Sequence, residues 1–202
     1  MRNRPQRTRR RVGQRERSTV IRVLTEGEVT EREYLSLICR DSVKLQFGKS
    51  RSTPIQLVEQ AKRDRSADQG SRTVNRLFDE IWCIFDRDDH HGFHEATQAA
   101  QRANIPTAVS NPCFELWLLL HVKQQTAYIS TSEAQAQAGA LNLIDGKNLA
   151  TAELGTLKSS YEVAKRRALE LDTMHERNGS SQGSNPSSGV WKIADHLLDS
   201  SD

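Results

Sequence analysis

The sequence predicts an α/β protein, a small parallel sheet flanked by helices with a helical C-terminal part. Three stretches carry that reading. Ile81-Trp82-Cys83-Ile84-Phe85 is a short apolar run that ends in Asp86-Arg87-Asp88-Asp89, the pattern of a buried strand with acids at its exit. Thr19-Val20-Ile21-Arg22-Val23-Leu24-Thr25 is a β-branched run that exits into Glu26-Gly27-Glu28 and then a helical pattern. Ile105-Pro106-Thr107-Ala108-Val109 follows the central run at a spacing that fits strand, helix, strand, the right-handed crossover of a parallel sheet.

The remaining elements follow in order. Thr30 and Glu33 have capping-box spacing, so a helix is predicted to start at Thr30, with Tyr34, Leu35 and Ile38 on one face. Residues 40–53 read as a loop with a short strand at Val43 to Phe47. Pro54 is placed to open a helix with Thr53 as its cap, and Ile55, Leu57, Val58 and Ala61 give it an apolar stripe. Lys62 to Arg72 reads as charged and exposed, and Thr73 to Asp79 as a short helix. Gly92 to Ala103 is the crossover helix, with Phe93, Ala96, Ala99 and Ala100 facing inward. Asn111 and Pro112 suit the cap and first position of a helix whose core face is Phe114, Trp117, Leu118 and His121. Beyond Lys123, Ser130 to Leu143 and Thr151 to Met174 read as helices. Asn178 to Gly189 is rich in Gly, Ser, Asn, Gln and Pro and is expected to be a mobile loop, a spacer or a segment that orders on substrate. Asn185-Pro186-Ser187-Ser188 is expected to open a last helix.

Bulk properties narrow the function classes. A chain of 202 residues fits one domain with appendages and can bury roughly 70% of its unfolded surface, so it needs no disulfide staple. Cys39, Cys83 and Cys113 are isolated, which argues against a disulfide framework or a structural zinc site and for a reducing cytoplasm. There is no apolar run of membrane-spanning length and no apolar core of a secretory signal. The net charge of +3 hides an asymmetry: residues 1–17 hold eight arginines and one glutamate, while the rest of the chain carries more acids than bases. The expected organisation is a disordered basic arm at 1–17, a core at 18–125, and a helical extension at 126–202 that packs on the core and contains the loop 178–189. A basic arm favours polyanions through counterion release, though a solvated tail without a specific partner has the same composition.

The acids are the candidate chemistry. Asp86 and Asp88 point the same way if strand geometry continues, and two carboxylates on one sheet edge are best tolerated with a divalent cation between them. All-oxygen ligands suit Mg2+ or Mn2+. An acidic turn closing a strand is the plain alternative. Glu26 stands at a second strand exit, where α/β sheets place their active sites. Glu115 falls in the first turn of its helix, where it either favours the helix dipole or adds another acid to the same rim. The amides at that helix start are also able to hold a phosphate. Arg87 lies between the aspartates and points away from them, to pair with a surface acid or to touch phosphate. His90, His91 and His94 raise zinc, but tandem histidines rarely ligate together and no second cluster follows.

Glu26-Gly27 and Asp86-x-Asp88, each after a strand, resemble the Toprim domain of topoisomerases, primases and OLD-family nucleases. More closely, Thr25-Glu26-Gly27-Glu28-x-Thr30-Glu31, Phe85-Asp86-Arg87-Asp88, Ser110-Asn111-Pro112-Cys113-Phe114-Glu115-Leu116-Trp117 and Asn185-Pro186-Ser187 look like the RloB-like family. The resemblance spans about residues 19–198 and implies a Toprim-like catalytic core and a nuclease of bacterial defence against phage. It also implies genes near restriction systems or beside an ABC-type ATPase. By position, Glu26 matches the first Toprim acid, and Asp86 and Asp88 match its metal-binding aspartates. Glu31 resembles the second acid of OLD-type nucleases, one residue further along than in many of them. Asn111, Glu115 and the Asn185 segment are RloB-like features without a counterpart in topoisomerases. No tyrosine nucleophile motif or zinc ribbon is visible, which argues against topoisomerase and primase activity.

The expectation is therefore a Mg2+- or Mn2+-dependent nuclease acting on DNA or RNA, transfer RNA included. Glu26, Asp86 and Asp88 would hold metal, Glu26, Glu31 and Glu115 are the catalytic candidates, and Arg87 and Asn111 are the substrate contacts. Two other classes stay open: an effector subunit acting through an ATPase partner, and a nucleic-acid-binding module working through its arginine arm.

Overall fold

The computed structural model describes residues 18–49, 52–70, 76–87, 92–181 and 183–198. The basic arm, Asp88, Asp89, His90 and His91 lie outside the described residues. Four strands form the parallel part of the sheet: β1 (Thr19–Thr25), β2 (Val43–Phe47), β3 (Glu80–Asp86) and β4 (Thr107–Asn111), with β3 beside β1 and β4 beside β3. Between them run α1 (Thr30–Ile38), α2 (Pro54–Gly70) and α3 (Phe93–Arg102). This is the mixed, mostly parallel sheet of a Rossmann-like fold.

Strand alternation sorts the core into two layers. Ile21, Val23, Trp82 and Ile84 belong to one buried cluster with Tyr34, Leu35 and Ile38 of α1. Leu24, Ile81, Cys83 and Phe85 belong to a second cluster with Leu57, Val58 and Ala61 of α2 and Ala96 and Ala100 of α3. The central strand is therefore apolar from Ile81 to Phe85, since both of its faces are covered. α2 runs to Gly70, so the charged stretch after Lys62 continues a helix; Asp68 anchors its end by accepting from the Leu77 amide. The helix expected at 73–79 is not found over its described part, 76–79.

The first helix starts at Thr30, but not through a capping box. The Thr30 hydroxyl donates to the Lys147 carbonyl at 2.5 Å, and the Glu33 carboxylate accepts from the Leu149 amide at 2.6 Å. Both groups are taken by a tight hairpin, β5 (Ile144–Asp145) and β6 (Asn148–Leu149), turned by Gly146-Lys147 with Gly146 at φ 62°.

Asn111 and Pro112 also differ from expectation. Asn111 is the last residue of β4, Asn111-Pro112 is a cis peptide bond, and α4 (Phe114–Val122) starts after Cys113. Leu116 to His121 are all buried, not only the expected face, because α5 (Thr131–Ala140) and α7 (Tyr161–Arg177) cover the side turned from the sheet. The long helix expected from Thr151 is instead a 3-10 turn (Thr151–Glu153), α6 (Leu154–Ser159) and α7. Ser160 makes the break: its amide and hydroxyl donate to the Thr156 carbonyl, while its own carbonyl accepts from Val163 and Ala164.

The last segment returns to the sheet. Ser187–Ser188 forms β7, antiparallel to the end of β4, with Ser110 opposite Ser188 and their hydroxyls 3.1 Å apart. The final helix α8 (Val190–Leu198) thus starts after a strand and not at Asn185-Pro186, whose peptide bond is cis. The Asn185 side chain pairs both ways with the Ile129 backbone, at 3.1 and 2.8 Å, as a neighbouring strand would.

Candidate acidic cleft

Five acids line one cleft of about 610 Å3 at the carboxyl end of the parallel strands: Glu28 and four others set by four elements. Glu26 follows β1, Asp86 ends β3, Glu31 is the second residue of α1, and Glu115 is the second residue of α4. This is the edge where open α/β sheets bind ligands. Gln135, Gly146 and Lys147 line the opposite wall; Lys147 is its one basic residue among the described residues. The hairpin that captures Thr30 and Glu33 is what brings Lys147 there.

Backbone contacts fix the acids. The Glu26 carboxylate accepts from the Asp86 amide at 3.2 Å, tying the exits of β1 and β3 together. The Glu31 carboxylate accepts from the Gly27 amide at 2.9 Å, and Thr25 donates its hydroxyl to the Gly27 carbonyl at 2.7 Å. The Phe114 amide, at the start of α4, acts on Asp86 in the opposite sense to the crowding, favouring its charged form.

The electrostatics are those of crowded carboxylates. Asp86 is held well above the usual carboxylate range, first by desolvation and then by the charges of Glu31, Glu115 and Glu26. Glu31, only 7% exposed, is raised by burial and by Glu115 and Glu26, while its backbone hydrogen bonds pull the other way. Cys113 is pushed up by burial and by Glu115, so its thiol stays protonated at neutral pH and is no nucleophile.

Gly27 is required by this packing. A Cβ at position 27 would overlap the Glu31 carboxyl group. Gly27→Ala is expected to leave the fold intact, since Glu31 is able to swing away, but to weaken divalent-cation binding about tenfold or more. Titration of Mn2+ against wild type and variant checks this; unchanged affinity would show that Glu31 takes no part in the cation site.

Among the described residues no group of three or more His, Cys, Asp and Glu forms a preassembled metal cluster. Glu26 and Glu31 spend carboxylate oxygens on backbone amides, and mutual repulsion keeps the acids around the cleft. The donor set is nonetheless all oxygen, with neither histidine nor the raised Cys113 thiol suited to a soft metal there, so it fits a hard cation such as Mg2+ or Mn2+. His94 sits against Phe93 on α3 and does not line the cleft. Asp88 lies outside the described residues.

The two expected substrate contacts come together beside the cleft. Arg87 donates to the Gly183 carbonyl at 2.6 Å, and its guanidinium lies over the Phe93 ring at 5.3 Å. Asn111 donates to the same carbonyl at 2.8 Å. Residues 183–188, within the stretch expected to be mobile, are thus bonded to the ends of β3 and β4. Gln135, Lys147 and Tyr128 were not legible as site residues. Nothing in the alanine- and glutamine-rich helix marks Gln135, and only the Asp145-Gly146 turn signal could have drawn attention to Lys147.

A family model described as RloB-like protein matches residues 21–197. No curated protein matches the chain, and no solved structure matches it.

Proposed function

The chain belongs to the RloB-like family, and we propose that it is a divalent-metal-dependent nuclease with a Toprim-like site. The observation that carries this reading is the convergence of Glu26, Glu31, Asp86 and Glu115 on one cleft at the carboxyl edge of a parallel sheet. Glu26, Asp86 and Asp88 would hold the cation, and Glu31 and Glu115 would complete a second position. A bound divalent cation supplies charge neutralisation at a phosphodiester and lowers the proton affinity of water beside it.

The chain's own residues do the rest. Glu26 and Asp86 are locked to each other through the Asp86 amide, so the two strand exits present their carboxylates at a fixed separation. Glu31 is held against Gly27, with its proton affinity raised, which suits a group that takes up or releases a proton during the reaction. Lys147 offers the cleft a positive group for a phosphate oxygen. Arg87 directly follows Asp86 and Asn111 ends β4, and the two would orient the strand that enters the cleft. A role in defence against phage, with an ABC-type ATPase as partner, is the biological setting this family resemblance suggests. Among the described residues no helix is long and apolar enough to cross a membrane, which is compatible with action on cytoplasmic nucleic acid.

The test is a cleavage assay of the full chain on single- and double-stranded DNA and on total transfer RNA, with Mg2+, Mn2+ or a chelator. Cleavage that requires metal supports the reading and identifies the substrate. Inertness on all of these in both metals would contradict it and favour an effector that works through an ATPase.

A further inference from the structure

We propose that the acidic cleft is fed by a second groove that takes an unpaired nucleotide strand, with Tyr128 stacking on a base next to the position of cleavage. This rests on the reading of the acids as a phosphodiester-cleaving site. The groove, about 760 Å3, is lined by Arg87, Asn111, Tyr128, Gln135 and the hydroxyl-bearing Ser130 and Ser184, among others. It adjoins the cleft directly: Gln135 lines both, and Asp86 and Arg87 are consecutive residues that face one each.

The two cavities differ in charge. The cleft is lined by acids, while among the described residues no Asp or Glu lines the groove and Arg87 gives it a positive charge. A polyanion is repelled by the first without a cation and accepted by the second. The groove thus supplies the approach that the cleft lacks.

Tyr128 is 75% exposed, the most exposed large hydrophobic side chain among the described residues. It precedes Ile129, whose backbone is pinned on both sides by the Asn185 side chain. The ring is therefore presented from a fixed segment and not from a free loop. An exposed aromatic above a polar, cationic groove is the arrangement that binds single strands by stacking, each base offering a π face. In a duplex those faces are covered by neighbouring bases, so the groove selects unpaired nucleotides.

The experiment measures binding of short fluorescein-labelled single strands of DNA and RNA, and of the matching duplex, by fluorescence anisotropy in Ca2+. The full chain is compared with Tyr128→Ala and Tyr128→Trp, with circular dichroism as the folding control. Single strands are expected to bind more tightly than duplex, and Tyr128→Ala to weaken them about tenfold or more, the range for loss of one stacked base. Tyr128→Trp is expected to retain affinity, with its indole fluorescence quenched on binding. The difference between the DNA and RNA arms identifies the sugar. Unchanged affinity in Tyr128→Ala, equal affinity for duplex, or no binding of any strand would overturn the proposal. Metal-dependent cleavage that is indifferent to Tyr128 would sink the groove and leave the nuclease reading standing. Tyr128-dependent binding without cleavage in any metal would sustain the groove and sink the nuclease reading.

Discussion

Asp86→Asn is expected to abolish metal-dependent cleavage and, without metal, to raise the melting temperature at neutral pH. The first effect follows from the proposed cation site: loss of a ligand charge there would remove several kcal/mol of barrier lowering, a thousandfold or more in rate. The second follows from crowding. In the native state Asp86 is desolvated and faces Glu31, Glu115 and Glu26, so its carboxyl group binds a proton more tightly than it does unfolded. A carboxyl whose native pKa is raised brings no penalty below its unfolded pKa, near 4, and costs stability as pH rises above it. The wild-type apo protein therefore loses stability over that window, and Asn, which never ionises, does not. Melting curves of both proteins across pH 4 to 8 with a chelator should coincide at the acid end and separate toward neutrality, with the variant higher. A variant that melts lower at neutral pH would contradict the repelling cluster.

Trp117→Ala is expected to cost about 3–5 kcal/mol, the range for deleting a large buried aromatic. Trp117 is fully buried in α4, at the junction of the sheet layer and the C-terminal helices. Its ring meets those of Tyr34 at 6.1 Å, His121 at 5.0 Å and Tyr161 at 6.2 Å, each edge to face. His121 stays neutral there: burial holds its pKa at about 4, and its ring nitrogens bond the Tyr34 hydroxyl and the Trp117 carbonyl, each at 3.0 Å. Domains of this kind have about 5–15 kcal/mol of total stability, so the variant is expected to be marginal at 37 °C. Urea unfolding measures the loss directly. A change below about 1 kcal/mol would mean that the C-terminal helices do not share a core with α4.

The parallel core was legible because its signals are local. β1 and β2 have the bounds their β-branched and apolar residues suggest, and the apolar run of β3 ends at the acid that faces the cleft. Glu26, Glu31, Asp86 and Glu115 were each readable as acids at strand exits or helix starts, and topology brings those ends together. What escaped is held by distant partners. Ser187–Ser188 has no strand signal of its own and becomes one by pairing with Ser110 and Asn111, over 70 residues away. Thr30 and Glu33 have the spacing of a local cap, but a hairpin more than 110 residues on outcompetes it. Asn185 reads as turn chemistry and acts as a backbone mimic for Ile129. In each case a side chain with local hydrogen-bonding options found a tertiary one, which pattern and spacing do not encode.

The acidic cleft is proposed to hold a divalent cation. Calorimetric titration of Mn2+ into the wild type and into Asp86→Asn tests it most directly. The account predicts saturable binding by the wild type, with protons released as the raised carboxyls ionise, and no measurable binding by the variant. Equal binding by both proteins, or none by the wild type, would contradict it.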